Sequence, residues 1–250
     1  MQHLVGYFEN VDQGGAAANI AAMPDETLYA VGDVIRVPNE LPFLLGAAVL
    51  TAASTFTSAQ VRTPSLRTKA NFDISGYSDA DDFYDYPNID FMPMAPVPLE
   101  GLESMTFQTN TDHAAAVDIQ GLVWLSDGPL QPVTGQMFTV RCTAAAALSD
   151  GTWANSNLTF TQELPTGQYN VVGLRIESAN SIAGRLVFPG GKWRPGAPAV
   201  VNPADRGDDR FRYGRSGVFG SFDSNVPPTI DITGHTDVAQ DVFLDLIRTS

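Results

Sequence analysis

The sequence predicts an all-β protein, an antiparallel β-sandwich. Three observations carry this. Short runs of β-branched and aromatic residues recur at close, fairly regular spacing. Several of these runs alternate apolar and polar residues with period two. The 17 prolines and 22 glycines fall mostly between the runs, where turns are needed.

In chain order, Leu4 to Phe8 is the first run. Leu28 to Val37 follows, with a turn or bulge expected at Gly32-Asp33. Phe43 to Val61 is long enough for two strands. Ser104 to Thr109 alternates, as does Ala115 to Leu125 through Val117, Ile119, Gly121, Val123 and Leu125. Met137 to Ala147 reads as the next strand. Leu158 to Gln162 and Tyr169 to Ser178 are expected to form a hairpin across the turn Leu164-Pro165-Thr166-Gly167. Ile182 to Phe188 stops at Pro189-Gly190-Gly191, and Val218 to Phe222 and Thr229 to Thr233 complete the middle of this half. Phe243 to Ile247 could cap off as a helix behind Thr236-Asp237, but the all-β context favours a strand. Gln13 to Asp25, Thr63 to Pro98 and Pro189 to Arg215 read as irregular. The last two are long for loops inside a compact domain, and such loops usually carry function or disorder.

Prolines and turn residues cluster at Ser126 to Gly135. This divides the chain into a sandwich over 1–127, a linker over 128–135 and a second sandwich over 136–250, each of small-domain size. No residue-level repeat relates the halves. A single elaborated sandwich with long loops is the alternative.

Charged residues make up 17%, against about 25% in typical chains. Low charge suits a surface largely covered by neighbours, since interface cores are depleted in Lys, Glu and Asp. The net charge is −14, so strong nucleic-acid binding through the overall field is excluded. Cys142 is the one cysteine, in an apolar run, and reads as a buried inert thiol. No signal peptide is expected at Met1 to Gly6, and the apolar stretch Leu41 to Ala53 is too short for a membrane-spanning helix.

The catalytic inventory is thin. His3, His113 and His235 have no metal-ligand spacing, and there is no nucleophile elbow or phosphate-binding loop. No enzyme activity and no organic cofactor are expected. Asp79, Asp81 and Asp82 offer hard oxygen ligands for Ca²⁺, with a solvated acidic loop as the alternative. Tyr77, Phe83, Tyr84 and Tyr86 interleave with these acids and suit protein–protein contact or sugar stacking. Arg194, Arg206, Arg210, Arg212 and Arg215 form a local basic segment. It could face an acidic neighbour such as the loop at Asp73 to Asp90, a phospholipid headgroup or a nucleic acid. Asp205, Asp208 and Asp209 lie among these arginines, so internal pairing is the competing reading.

Phe138 to Ala147, Leu158 to Ser178 and Ile182 to Trp193, with the division near Asp127 to Gly135, resemble viral jelly-roll capsid proteins. The likeness is greatest to the small double jelly-roll major capsid proteins of tailless icosahedral phages. There is no basic N-terminal arm of the kind many single jelly-roll capsids carry. The resemblance implies two jelly rolls in tandem and a structural virion protein, made in the host cytoplasm. Its subunits would self-assemble as homotrimers into an icosahedral shell. Copies of itself and other virion proteins are the implied partners, with peripheral contact to an internal membrane. Other virion roles (minor capsid, decoration or tail protein) are alternatives. So is a carbohydrate-binding or adhesive sandwich, which would display coplanar aromatics from Trp124, Trp153 or Trp193.

Overall fold

A computed structural model describes residues 1–51, 57–67, 72–75, 88–111, 115–200, 209–236 and 238–250. Two compact units are present. The N-terminal unit is Val5–Pro129, and the C-terminal unit is Leu130–Ser250 together with Met1–Leu4.

In the N-terminal unit, β1 (Gln2–Val11, whose first residues belong to the other unit) and β2 (Ala18–Ala22) come first. The small strands β3 (Ala30–Val31) and β4 (Val34–Arg36) follow. Next are β5 (Phe43–Thr51), β6 (Thr57–Arg62), the single-turn helix α1 (Pro64–Arg67), β7 (Phe72–Ser75) and β8 (Asn88–Phe91). The unit closes with β9 (Val97–Pro98), β10 (Ser104–Thr111) and β11 (Val117–Ser126).

Setting aside β3, β4 and β9, the described residues of the unit form eight principal strands. One layer runs β1-β11-β5-β8 and the other β2-β10-β6-β7. Counted along the chain these are strands one, eight, three, six and two, seven, four, five. That order is a jelly roll, in which two Greek keys wrap one sandwich. Tyr7 of β1 packs on Phe107 of β10 at 5.4 Å between ring centroids. Gly121 of β11 lies under the same ring, and a Cβ there would sit 2.8 Å from it. The missing side chain is what lets the two layers close around Phe107.

The C-terminal unit repeats the plan. Its elements are β12 (Phe138–Ala144), β13 (Ala154–Asn157), β14 (Thr159–Phe160), β15 (Gln168–Glu177), β16 (Ser181–Val187), β17 (Gly196–Val200), β18 (Gly220–Asp223), β19 (Thr229–Gly234) and β20 (Gln240–Arg248). With β14 set aside, the layers are β12-β20-β15-β18 and β13-β19-β16-β17, again one, eight, three, six and two, seven, four, five. Here Ile176 of β15 crosses to β16 at Gly184, where a Cβ would lie 2.5 Å from its Cδ1. The alternation in β12 is clean, with Val140, Cys142 and Ala144 buried between more exposed neighbours. The tail over Phe243 to Ile247 is part of β20, a strand.

Met1–Leu4 is fixed within the C-terminal unit. The Leu4 N–H donates to the Arg194 carbonyl at 2.9 Å, and the Arg194 N–H donates to His3 Nδ1 at 3.0 Å. Arg185 Nη1 donates to the Leu4 carbonyl at 3.3 Å, and the His3 ring meets Trp193 edge-on at 5.5 Å.

Two sequence expectations need correction. The segment before the Leu164 turn does not pair with Tyr169 to Ser178. Instead β14 pairs with β12, at Cys142↔Phe160, while β15 pairs with β20, β18 and β17. β14 and β15 share a layer, but β12 and β20 lie between them, so the turn cannot close a hairpin. The segments read as irregular also hold strands: β2 in the first, β7, β8 and β9 in the second, β17 in the third. Among the described residues no helix is long and apolar enough to cross a membrane.

Candidate functional site

The most elaborate polar construction in the C-terminal unit is on the outer face of its β12-β20-β15 layer. Along β20, Val242, Leu244 and Leu246 point into the sandwich, so Asp245 points away from it. Its neighbours in the ladder are Thr139 of β12 and Gly173 of β15. Gly173 sits at a register shift, and a Cβ there would lie 2.2 Å from Asp245 Oδ2. The glycine thus opens a niche in which the carboxylate lies flat on the sheet.

Residues 209–219 fold over this niche. Phe211, Gly214 and Phe219 hydrogen-bond to the backbone of Leu174, Val172 and Val171, which fixes the segment along β15. Arg212 then reaches Asp245 with two prongs, Nε to Oδ2 at 2.7 Å and Nη2 to Oδ1 at 2.8 Å. The Thr139 hydroxyl donates to Oδ1 at 2.7 Å and the Tyr213 N–H to Oδ2 at 2.9 Å. Burial alone would raise the Asp245 pKa, but these hydrogen bonds and the Arg212 charge hold it below the ordinary carboxylate value. Burial alone would lower the Arg212 pKa, and the Asp245 partner raises it instead. Both groups are therefore ionised, as a buried two-pronged pair.

Tyr213 has φ of 55°, a left-handed conformation costly for a residue with a Cβ. Its ring lies over the Arg212 guanidinium at 4.6 Å and is 50% exposed. Val218, in the same covering segment, is 38% exposed, whereas Phe138, 36% exposed, lies on the other face of the layer, opposite Leu246 and against the Tyr169 ring. The buried ion pair thus holds a strained tyrosine out at the surface. Such strain marks candidate contact sites, because the fold maintains it at a cost to itself.

A second ion cluster lies nearer the N-terminal tetrapeptide. Asp231 of β19 accepts from Arg185 Nε at 3.1 Å, Arg194 Nη1 at 2.7 Å and Asn155 Nδ2 at 2.8 Å. Arg185 lies 4.3 Å over the Trp153 ring.

The structure turns Arg194 and Arg212 inward, onto Asp231 and Asp245 respectively. Arg210 is exposed, and its carbonyl accepts from the Ser216 hydroxyl. Asp79, Asp81, Asp82, Tyr77, Phe83, Tyr84, Tyr86 and Arg206 lie outside the described residues. Trp124 is 0% and Trp193 8% exposed, so neither offers the flat open platform a surface glycan site would need. Burial pushes the Cys142 thiol up to about 12, which keeps it unreactive at neutral pH.

Sequence reasoning did not single out Asp245, Tyr213 or Asp231. The available signal was charge at alternate positions of an otherwise apolar strand, Asp241 and Asp245 between Val242, Phe243, Leu244 and Leu246.

No protein-family model matches the sequence, and no curated protein does. Among solved structures, a likeness is found to the major capsid protein P2 from bacteriophage PM2. It spans 100% of this chain and 98% of that one, at 12% sequence identity and a TM-score of 0.28. At that TM-score the likeness carries no argument, and the jelly-roll assignment rests on strand order alone.

Proposed function

We propose that this chain is a structural virion protein, a major capsid subunit that self-assembles, as homotrimers, into an icosahedral shell. One observation carries the reading: the same eight-strand jelly-roll order occurs twice in one chain. Two sandwiches per chain let three copies present six similar blocks, the shape of a tile that fills a surface. This is an argument from architecture, and a fold by itself does not dictate function.

The distribution of charge supports it. The N-terminal unit has 4 Lys or Arg and 17 Asp or Glu, a net −13, while the C-terminal unit has 10 and 11, a net −1. Packing N-terminal units of two copies together sets like charge against like. Alternating the units around a ring avoids that, and a head-to-tail contact that closes gives a cyclic oligomer. The exposed Tyr213 and Val218, both within residues 209–219, are the apolar side chains such a contact would cover. The partners are copies of the chain and other virion proteins, in a shell made in the host cytoplasm.

The reading includes the absence of catalysis. Cys142 is held protonated, and His3 uses Nδ1 to accept the Arg194 N–H. Sedimentation and electron microscopy of the purified chain test the proposal. Trimers or shells are expected, weakening with Tyr213→Ser. A strictly monomeric protein at high concentration would overturn it.

A further inference from the structure

The C-terminal unit has a cleft of about 420 Å³ between the loop after β14 and the turn after β18. That is within the range of small-ligand sites. Its floor is the half-buried ring of Phe160, with Leu164 beside it. Phe160 is backed by Phe222 at 6.4 Å between centroids, and Phe222 stacks on Tyr169 at 5.7 Å. The floor is therefore held in place by a column of rings.

The walls are pinned as well. The Gly167 N–H donates to Ser224 Oγ at 3.1 Å, and the Ser224 N–H returns to the Gly167 carbonyl at 3.0 Å. The Asn225 amide donates to Asp223 at 2.8 Å, the Tyr169 hydroxyl to the Pro165 carbonyl at 2.6 Å, and Arg248 Nη2 to the Thr166 carbonyl at 2.6 Å. Both loops are thus tied by their backbone. Three lining side chains, Gln162, Glu163 and Thr166, are nevertheless without a side-chain partner among the described residues. A fixed backbone with polar side chains left open is a preorganised site for a hydrophilic ligand.

We propose that this cleft binds a neutral pyranose sugar. Each feature selects for it. The Phe160 ring offers a flat apolar face for the C–H side of the sugar. The amide of Gln162, the carboxylate of Glu163 and the hydroxyl of Thr166 supply donors and acceptors for ring hydroxyls. No Lys or Arg lines the cleft and Glu163 does, so a phosphate, sulfate or uronate is repelled. One carboxylate alone does not make a divalent-cation site. The polar rim disfavours a purely apolar ligand, whose entry would leave those groups unpaired. The sugar site is independent of shell formation, so either proposal can fail without the other.

The test is saturation-transfer NMR and titration calorimetry on the full chain in unassembled form. The probes are glucose, galactose, mannose and N-acetylglucosamine, their common disaccharides, and glucuronate. Binding of at least one neutral sugar is expected with a Kd on the order of 1 mM, typical of a contact worth about 4 kcal/mol. Gln162→Ala and Thr166→Ala alter exposed side chains and leave the fold intact. Together with Phe160→Ala, they should each weaken that sugar several-fold to tenfold. No transfer from any neutral sugar at about 10 mM, ten times that Kd, would overturn the proposal. So would binding unchanged in all three variants, tighter binding of glucuronate than of glucose, or displacement of the sugar only by a hydrophilic peptide.

Discussion

Arg212 and Asp245 meet through two parallel hydrogen bonds of 2.7 and 2.8 Å on the outer face of a sheet, yet both are buried. The segment that carries Arg212 is the lid that buries them. Removing one partner strands a buried charge, so Arg212→Ala should cost about 3–5 kcal/mol in urea unfolding of the purified chain. The double change Arg212→Met with Asp245→Leu should cost much less, because no charge is left behind. Equal losses in the single and double variants would show that the pair matters only as packing.

The same pair sets an acid limit. A carboxyl whose folded pKa lies below its unfolded value of about 3.9 contributes stability above that value and loses it as pH falls through the folded pKa. The melting temperature of the native chain should therefore fall more steeply below about pH 4 than that of Asp245→Asn. Parallel curves for the two proteins would assign the acid sensitivity to other carboxyls.

Tyr213 should show a conflict between stability and contact. Tyr213→Gly removes a left-handed strain of about 1–2 kcal/mol and should raise the unfolding midpoint of the unassembled chain. It also removes the most exposed aromatic of that surface and should weaken self-association in sedimentation. A change of the same sign in both measurements would separate the strain from the contact.

Gly121 has no room for a methyl group beneath Phe107. Gly121→Ala should destabilise the chain by about 1–3 kcal/mol. Adding Phe107→Leu should recover part of the loss, as read by denaturant titration.

Cys142 should resist thiol reagents at pH 8 until the chain unfolds, since burial raises its pKa to about 12 and removes access. Ellman reagent with and without guanidinium reads this directly, and rapid labelling of the native chain would contradict the buried assignment.

The strands legible in the sequence are mainly those with a neighbour on each side, such as β5, β11, β15, β16, β19 and β20. Burial on at least one face gave them a readable apolar pattern. The unread strands lie at margins or cross between layers. Among the described residues, β7, β8, β9 and β13 each pair with one strand. β2 pairs with β10 at Ala18 to Ile20 and with β1 at Ala21 and Ala22. β17 pairs with β16 at Gly196 to Pro198 and with β15 at Ala199 and Val200. Such strands need small side chains to bend between layers, and Ala18-Asn19-Ile20-Ala21-Ala22 and Gly196-Ala197-Pro198-Ala199-Val200 look like loops by composition. The site was hidden for a related reason. Period-two reasoning places Asp245 on the outer face correctly, but it cannot know that residues 209–219, far off in the pattern, will come to lie over it. Gly173 carried a further local sign of that niche, but an isolated glycine in a strand has several meanings.

The bonds from His3 and Leu4 to Arg185 and Arg194 join positions 181 to 191 residues apart. A ribosome adding about 5–20 residues per second makes the first partner on the order of 10–40 s before the second. During that interval the amino terminus has nothing to dock on. The C-terminal unit therefore cannot mature as an autonomous late product: its completion waits on a segment made long before it, and an obstruction of that segment would be felt only once Arg185 and Arg194 had been made.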